Sequence, residues 1–241
     1  PQYLCVRNEQ EELVAAAPAY IKTNSYGEFV FDFSWAQAYQ QAGGHYYPKL
    51  VCAVPFSPVS GPRLLANSEQ ARVALCDHLI KLPAEQTASS LHMLFAHQRD
   101  YALIEQHGAV LRRDCQYQWF NRNYANFDAF LAPLSSKRRK EIRRERRRVA
   151  EGGIKMHVLK PEDIDEALWQ TLYIFYSRTY LVRGQRPYLT PEFFRLIGRL
   201  LPKQVLFFVA YKGHDPVAMA FMLRDENTLY GRHWGCLEDY H

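Results

Sequence analysis

Three groups of residues in this 241-residue sequence have the types and spacing for chemistry. The first is residues 57–66. A strand broken by Pro55, Pro58 and Pro62 runs into a small-residue loop and then into a capped helix. Proline has no amide for a sheet ladder, and a helix start carries free N–H groups. Together they offer a place for a phosphate or an oxyanion. Ser57, Ser60, Gly61 and Arg63 are the candidates to hold such a group there, Gly61 by letting the backbone approach closely and Arg63 by charge. An ordinary proline-bulged edge strand fits the same residues.

The second group is residues 137–148, which hold nine basic and two acidic groups. The whole chain has 30 Lys and Arg against 25 Asp and Glu, a net +5, so the other 229 residues carry 21 basic and 23 acidic groups. One segment supplies the positive charge. Lys137, Arg138, Arg139, Lys140, Arg143, Arg144, Arg147 and Arg148 are candidates to bind a polyanion, tRNA or an anionic lipid-linked precursor. Lys137 with Glu141 and Glu145 with Arg148 have helical pair spacing. No base-reading motif accompanies the run, so sequence-specific DNA binding is not expected. A solvated linking helix is the alternative.

The third group is scattered. His233 is a candidate general base if it titrates near neutrality, and a structural histidine otherwise. Glu28 and Asp32 stand four apart, a carboxylate pair if helical, within residues that read as strand. Tyr117, Trp119 and Asn121 would share one strand face by period two. His97, His107, His157 and His214 lack metal-ligand spacing, so no metal is expected. Neither Gly-x-Ser-x-Gly nor a P-loop occurs.

The elements that must position these groups alternate along the chain. Strands are expected at 3–7, 13–22, 49–55, 91–96 and 111–121, and helices at 33–42, from an Asn67 cap to 82, and at 100–107. Helices follow at 127–131 and 134–149, the latter stopped by Gly152 and Gly153. After a strand at 154–159, Pro161 opens a helix whose apolar stripe is Ile164, Leu168, Leu172, Phe175 and Val182. Thr190 and Pro191 open another, to 201. Strands at 205–211, 217–224 and 228–235 form a meander. Val14 Ala15 Ala16 Ala17 with Tyr26 Gly27 Glu28 Phe29 is echoed by Val217 Ala218 Met219 Ala220 with Tyr230 Gly231 Arg232 His233.

Composition excludes a disordered chain, a collagen-like repeat and a disulfide scaffold, since 48% of residues are hydrophobic and 23% charged. No apolar run exceeds the seven residues of 205–211, too short to span a membrane. Five dispersed cysteines without a CxxC point to reduced thiols, most of them in apolar surroundings, and to the cytoplasm. The chain starts at Pro1 in a strand and stops after another, as a piece of a longer protein would.

The run Tyr46 Tyr47 Pro48 Lys49 Leu50, then Val54 Pro55 Phe56 Ser57 Pro58 Val59 Ser60 Gly61 Pro62 Arg63, resembles a bacterial family of FemAB-like proteins. Ser25 Tyr26 Gly27 Glu28 with Asp32, the stretches 134–140 and 142–146, and Tyr230 Gly231 Arg232 His233 Trp234 Gly235 Cys236 carry the resemblance over nearly the whole chain. The family is described as peptidoglycan biosynthesis or recognition proteins, within the acyl-CoA N-acyltransferase (GNAT) superfamily. The resemblance implies an α+β fold of tandem GNAT-like lobes, mixed central sheets flanked by helices. The lobes would be 1–125 and a truncated 154–241, joined by a basic helical connector at 126–153. Residues 51–55 would be the bulged strand that faces the acyl carbonyl, and 57–66 the turn that holds the CoA pyrophosphate. The usual Q/R-x-x-G-x-G/A pattern is absent here, and FemABX relatives use aminoacyl-tRNA, so acyl-CoA and aminoacyl-tRNA are both open as co-substrate. The implied function is acyl or aminoacyl transfer to an amine, with a cell-wall precursor as acceptor, in the cytoplasm or peripherally at the inner membrane. A catalytically inactive recognition module and an RNA-binding protein using the basic helix stay open beside it.

Overall fold

The computed structural model describes residues 1–238. The chain divides into two compact units, Pro1–Gln118 and Trp119–His241, so the basic segment 126–153 is grouped with the second unit.

In the first unit β1 (Gln2–Arg7) and β2 (Leu13–Lys22) form an antiparallel hairpin. Its turn is held by the Asn8 side chain, which accepts from the amides of Gln10 at 3.0 Å and Glu12 at 2.9 Å. α1 (Phe33–Gln41) follows, then β3 (Lys49–Cys52), antiparallel to β2. β4 (Leu65–Ala66) pairs with β2 further along. After α2 (Glu69–Glu85), β5 (Leu91–Met93) lies parallel to β3, and α3 (Gln98–Gln106) closes the unit.

Alternation divides β3 between two faces. Leu50 and Cys52 join Leu75, Cys76, Leu79 and Leu82 of α2 and the buried Ala15, Ala17 and Ala19 of β2 in the main core. The alanines leave room for α2 to sit against the sheet, and burying each such leucine contributes about 1.5–3 kcal/mol. Val51 points the other way, into a smaller cluster with Ala53 and Leu94.

In the second unit α4 (Phe127–Leu131), capped by Asn126, leads into α5 (Ser136–Glu151), capped by Ser135. β6 (Ile154–Leu159) is followed by a single 3-10 turn, Pro161–Asp163, and by α6 (Glu166–Leu181), whose cap is Asp165. After α7 (Pro191–Leu200) come β7 (Val205–Lys212), β8 (Asp215–Arg224) and β9 (Leu229–Cys236), antiparallel in the order β6-β7-β8-β9. Leu172, Phe175, Tyr176 and Phe194 pack on Val205, Phe207, Val209, Met219 and Phe221.

The molecule departs from expectation in several places. Residues 111–121 form no strand, and Tyr117 is 97% and Trp119 64% exposed. Alternation describes a segment but does not supply a partner for its backbone; here Asp114 and Asn121 bond local amides instead. The cap of α2 is Ser68, because the Asn67 amide still bonds Val14 in the sheet at 3.0 Å. Pro161 opens the 3-10 turn rather than α6, and Val182 is exposed because the helix stops at Leu181. Only Cys52 and Cys76 of the five free cysteines are buried.

The internal echo holds for its strands alone. β2 and β8 each have ten residues, with Ala15, Ala17 and Ala19 buried in one and Val217, Met219 and Phe221 in the other. Matched by burial, Ala15 corresponds to Val217, so the sequence match of Val14 to Val217 is one residue off and joins opposite faces. Tyr26 and Gly27 lie in a turn, whereas Tyr230 to His233 lie in β9. Among the described residues, no helix is long and apolar enough to cross a membrane.

Candidate functional site

The first unit's sheet contains an interruption that starts at Ala53 and runs through Pro55 and Pro58. Up to Cys52, β3 pairs with β5, and Cys52 still accepts from Leu94 at 3.0 Å. The chain then leaves the sheet for residues 53–60. It returns at Gly61, whose amide donates to Phe95 at 3.0 Å and whose carbonyl accepts from His97 at 2.9 Å, as a parallel bridge to Ala96. Pairing along β5 therefore continues on both sides of an eight-residue excursion. Among the described residues the amides of Ala53 and Val54 donate to no backbone carbonyl.

The excursion is held from below. Arg63 is buried, and its guanidinium donates to the carbonyls of Leu94 at 2.8 Å, Val59 at 2.8 Å and Pro62 at 3.2 Å. This corrects the expectation that Arg63 faces a ligand: the loop's own carbonyls occupy it. The amides of Arg63 and Leu64 bond Asp100 at 2.6 and 3.3 Å. At the start of α2 the Ala71 amide bonds the Ser68 hydroxyl at 3.2 Å, and Glu69 in the first turn pairs with Arg72 and Arg99. Ser57 and Ser60 lie on the excursion, and the Ser57 hydroxyl donates to Pro55 at 3.1 Å.

Glu28 and Asp32 belong to the same neighbourhood. Phe56 of the excursion packs against Gly27; a Cβ on Gly27, whose φ is +78°, would lie 2.2 Å from that ring. Beneath the turn, the fully buried Lys49 ammonium donates to Ser25, Glu28 and Asp32, each at 2.7 Å. Lys22 lies 3.0 Å from the other Glu28 oxygen. The Tyr46 hydroxyl donates to Asp32 at 2.7 Å. The two carboxylates sit in neither helix nor strand, and Lys49 joins them. Burial alone would raise the Asp32 pKa, but its bonds from Lys49, Ser25 and Tyr46 prevail and lower it to about 2. Asp32 is a weak proton acceptor at neutral pH. Its Oδ1 is buried without a hydrogen-bond partner among the described residues.

Backbone strain gathers here. Phe29, Phe31, Phe56 and Phe95 have φ of 61°, 50°, 54° and 50°. For a bulky side chain each costs about 1–3 kcal/mol, which packing nearby must offset, and such strain concentrates at functional loops.

His92 was not singled out in the sequence. It lies opposite Val51 in β5, alternating with Leu91 and Met93, which pack on the α2 side. Its ring meets Tyr46, centroids 5.7 Å apart, and its Nε2 lies 2.9 Å from the Ser90 hydroxyl. Burial, then the Lys49 charge, lowers its pKa and favours the neutral imidazole. A histidine between two core residues of a strand was the available signal. Cys52 supplies no nucleophile, because burial pushes its thiol up to about 12.

His233 lies in the second unit. As expected for neighbours in a strand, it turns inward and Trp234 outward. Its ring stacks on Phe221 at 6.0 Å and meets Tyr176 at 4.8 Å. Burial, then Arg232, lowers its pKa to about 3. Its Nε2 is buried without a partner among the described residues. These features correct the general-base expectation: this imidazole is a neutral core group with little affinity for a proton.

On α5 the basic groups divide. Arg138 pairs with Glu141 at 2.6 Å, Arg143 with Asp128 at 2.8 Å, and Arg147 lies 3.9 Å from Glu151. Arg139 donates to the carbonyls of Ala132 and Leu134, and Arg146 sits 4.1 Å above the Phe127 ring. The expected Lys137–Glu141 and Glu145–Arg148 pairs are not made among the described residues; Arg138 takes Glu141 instead. Lys137, Lys140, Arg144 and Arg148 are exposed and have no partner among the described residues.

No curated protein matches the sequence. Among solved structures, L-PGS from Bacillus licheniformis is similar, with a TM-score of 0.50 at 10% identity, over 98% of this chain and 61% of that one. The chain thus spans under two thirds of that structure, and the likeness is one of fold. The FemAB-like family profile, described as peptidoglycan biosynthesis/recognition, matches residues 1–241. With that match over its whole length, this chain belongs to the FemAB-like family.

Proposed function

We propose that this protein transfers an acyl or aminoacyl group to an amine, with the donor carbonyl placed at the 53–60 excursion. Membership of a peptidoglycan biosynthesis/recognition family supports a cell-wall precursor as acceptor. The observation that carries the reading is the gap left where the chain departs from the sheet after Cys52, where the amides of Ala53 and Val54 lack a backbone acceptor among the described residues. Two such amides are the kind of donor that stabilises the oxyanion formed as an amine attacks a carbonyl. Ser57, Ser60 and Gly61 frame that gap, and Arg63 holds its shape. Neutral His92, on the sheet face of Lys49 and Val51, takes the amine proton; Glu28 and Asp32 hold Lys49 and the turn under Phe56. Acyl-CoA and aminoacyl-tRNA are both suitable donors, and a tRNA or lipid-linked phosphate would dock on α5. In this reading the two units are GNAT-like lobes.

One observation favours a second reading, a recognition module without turnover. Asp32 and His233 have pKa values of about 2 and about 3, and neither accepts a proton readily at pH 7.

The test supplies labelled acyl-CoA or aminoacyl-tRNA with a lipid-linked peptidoglycan precursor and follows the new amide by mass spectrometry. Product is expected, with turnover lowered about 100-fold in His92→Gln, within the usual range for removing a general base. Precursor binding without product, in the parent protein, would replace transfer by recognition.

A further inference from the structure

The basic segment does two different jobs. Arg138, Arg139, Arg143, Arg146 and Arg147 are engaged by acids, by carbonyls or by the Phe127 ring. Four groups remain: Lys137, Lys140, Arg144 and Arg148, all exposed and all without a partner among the described residues. Their steps of three, four and four residues keep them on one side of α5. At about 1.5 Å per residue the row is about 16 Å long, with steps of about 4.5–6 Å. Arg139, Arg143 and Arg146 face the opposite way, toward the segment 127–134.

We infer that this row docks the phosphodiester backbone of a single RNA strand, one phosphate for each cation. The inference rests on the polyanion part of the proposed function and is independent of acyl transfer.

Two observations favour a strand over a lipid surface. The row is narrow and regular, a linear array of cations that a linear polyanion can follow. The apolar residues of α5, Ile142 and Val149, lie away from it, so the helix has nothing to insert beneath headgroups on that side. No side chain in the row reads a base by itself, so DNA of the same length should bind comparably.

The experiment measures fluorescence anisotropy with a labelled 20-nucleotide oligo-U over a series of salt concentrations, without any acyl donor. Two double variants remove equal charge: Lys140→Gln with Arg144→Gln in the row, and Arg138→Gln with Arg143→Gln outside it. Far-UV circular dichroism checks that each stays folded. Four contacts predict a log–log salt slope of about −3, falling to about half in the row variant, since each single-strand contact contributes about 0.7. Affinity at 0.1 M salt should drop about tenfold or more in the row variant and less than about threefold in the other. Equal loss in both variants would mean diffuse charge attraction and overturn the row. So would parent protein that binds vesicles containing 30% phosphatidylglycerol but not oligo-U. Absence of RNA binding leaves the acyl-transfer assay unaffected, so the two failures are distinguishable.

Discussion

The two units each place polar groups against a sheet, and they stabilise them in opposite ways. In the first, Lys49 is fully buried and ion-paired, with Glu28 and Asp32 each 2.7 Å from it and Lys22 3.0 Å from the other Glu28 oxygen. In the second, His233 lies among Tyr176, Tyr180, Tyr188 and Phe221 with no acid beside it, and it gives up its charge. A buried ion needs an opposite ion at contact distance. A group that titrates near neutrality can discard its proton instead. The first arrangement therefore fixes a loop, the turn 25–32 beneath the excursion, while the second is expected to accept a hydrocarbon ring in place of the imidazole.

The largest effect that would sharpen this contrast comes from removing the cation. Lys49→Met should lower the unfolding free energy by about 3–5 kcal/mol in urea titrations, because two buried carboxylates lose their partner. Adding Glu28→Gln and Asp32→Asn in the same chain should restore part of that loss. A change below about 1 kcal/mol in the single variant would show that the charges are not buried as described, and the contrast would fail.

Acid provides the next test. The His233 pKa is lowered to about 3, so its contribution to stability is complete above the unfolded value of about 6.5 and is lost as pH falls toward 3. His92 acts with the same sign in the first unit. Asp32, lowered to about 2, contributes above about 3.9 and loses its share only as pH falls toward 2. Hydrogen exchange between pH 6.5 and 4 should therefore accelerate in α6 and β9 while the Lys49–Asp32 contact persists. Acceleration confined to the turn 25–32 would reverse the assignment.

The smallest effect is expected for His233→Phe. The phenyl ring can keep the stack on Phe221 and removes the unpartnered Nε2, so stability at pH 7 should change by less than about 1.5 kcal/mol. The acid sensitivity of α6 should shrink with it. A loss above 3 kcal/mol would mean that the contact of the Tyr180 hydroxyl with the His233 Nδ1, at 3.4 Å, is essential to the fold.

Much of the fold was legible because local rules decided it. Prolines at 55, 58 and 62 announced a break after the strand from Lys49, although the strand ends at Cys52 and not at 55, and Gly152 with Gly153 announced that the basic helix would stop. The meander β7–β8–β9 follows from alternation and polar turns. Where a partner had to be present, sequence was not enough. Residues 111–121 alternate like a strand but pair with nothing. The echo of Val14 with Val217 was real as a strand and wrong by one residue in register, which alternation alone cannot detect when alanines fill both faces.

What sequence by itself determined here is the order of elements, the concentration of charge on one helix and the break after β3, all properties of neighbouring residues. Only tertiary structure decided which charges are free. Arg63 reads as a ligand-binding cation and proves to be bonded to the loop's own carbonyls. Glu28 and Asp32 read as a pair of acids and prove to share Lys49, 21 and 17 residues away. Nine basic groups read alike, and contacts with 127–134 and with acids on α5 leave four in a row. The reason is physical. A charge is defined by what stands within a few ångströms of it, and for a buried or surface ion those neighbours come from distant parts of the chain.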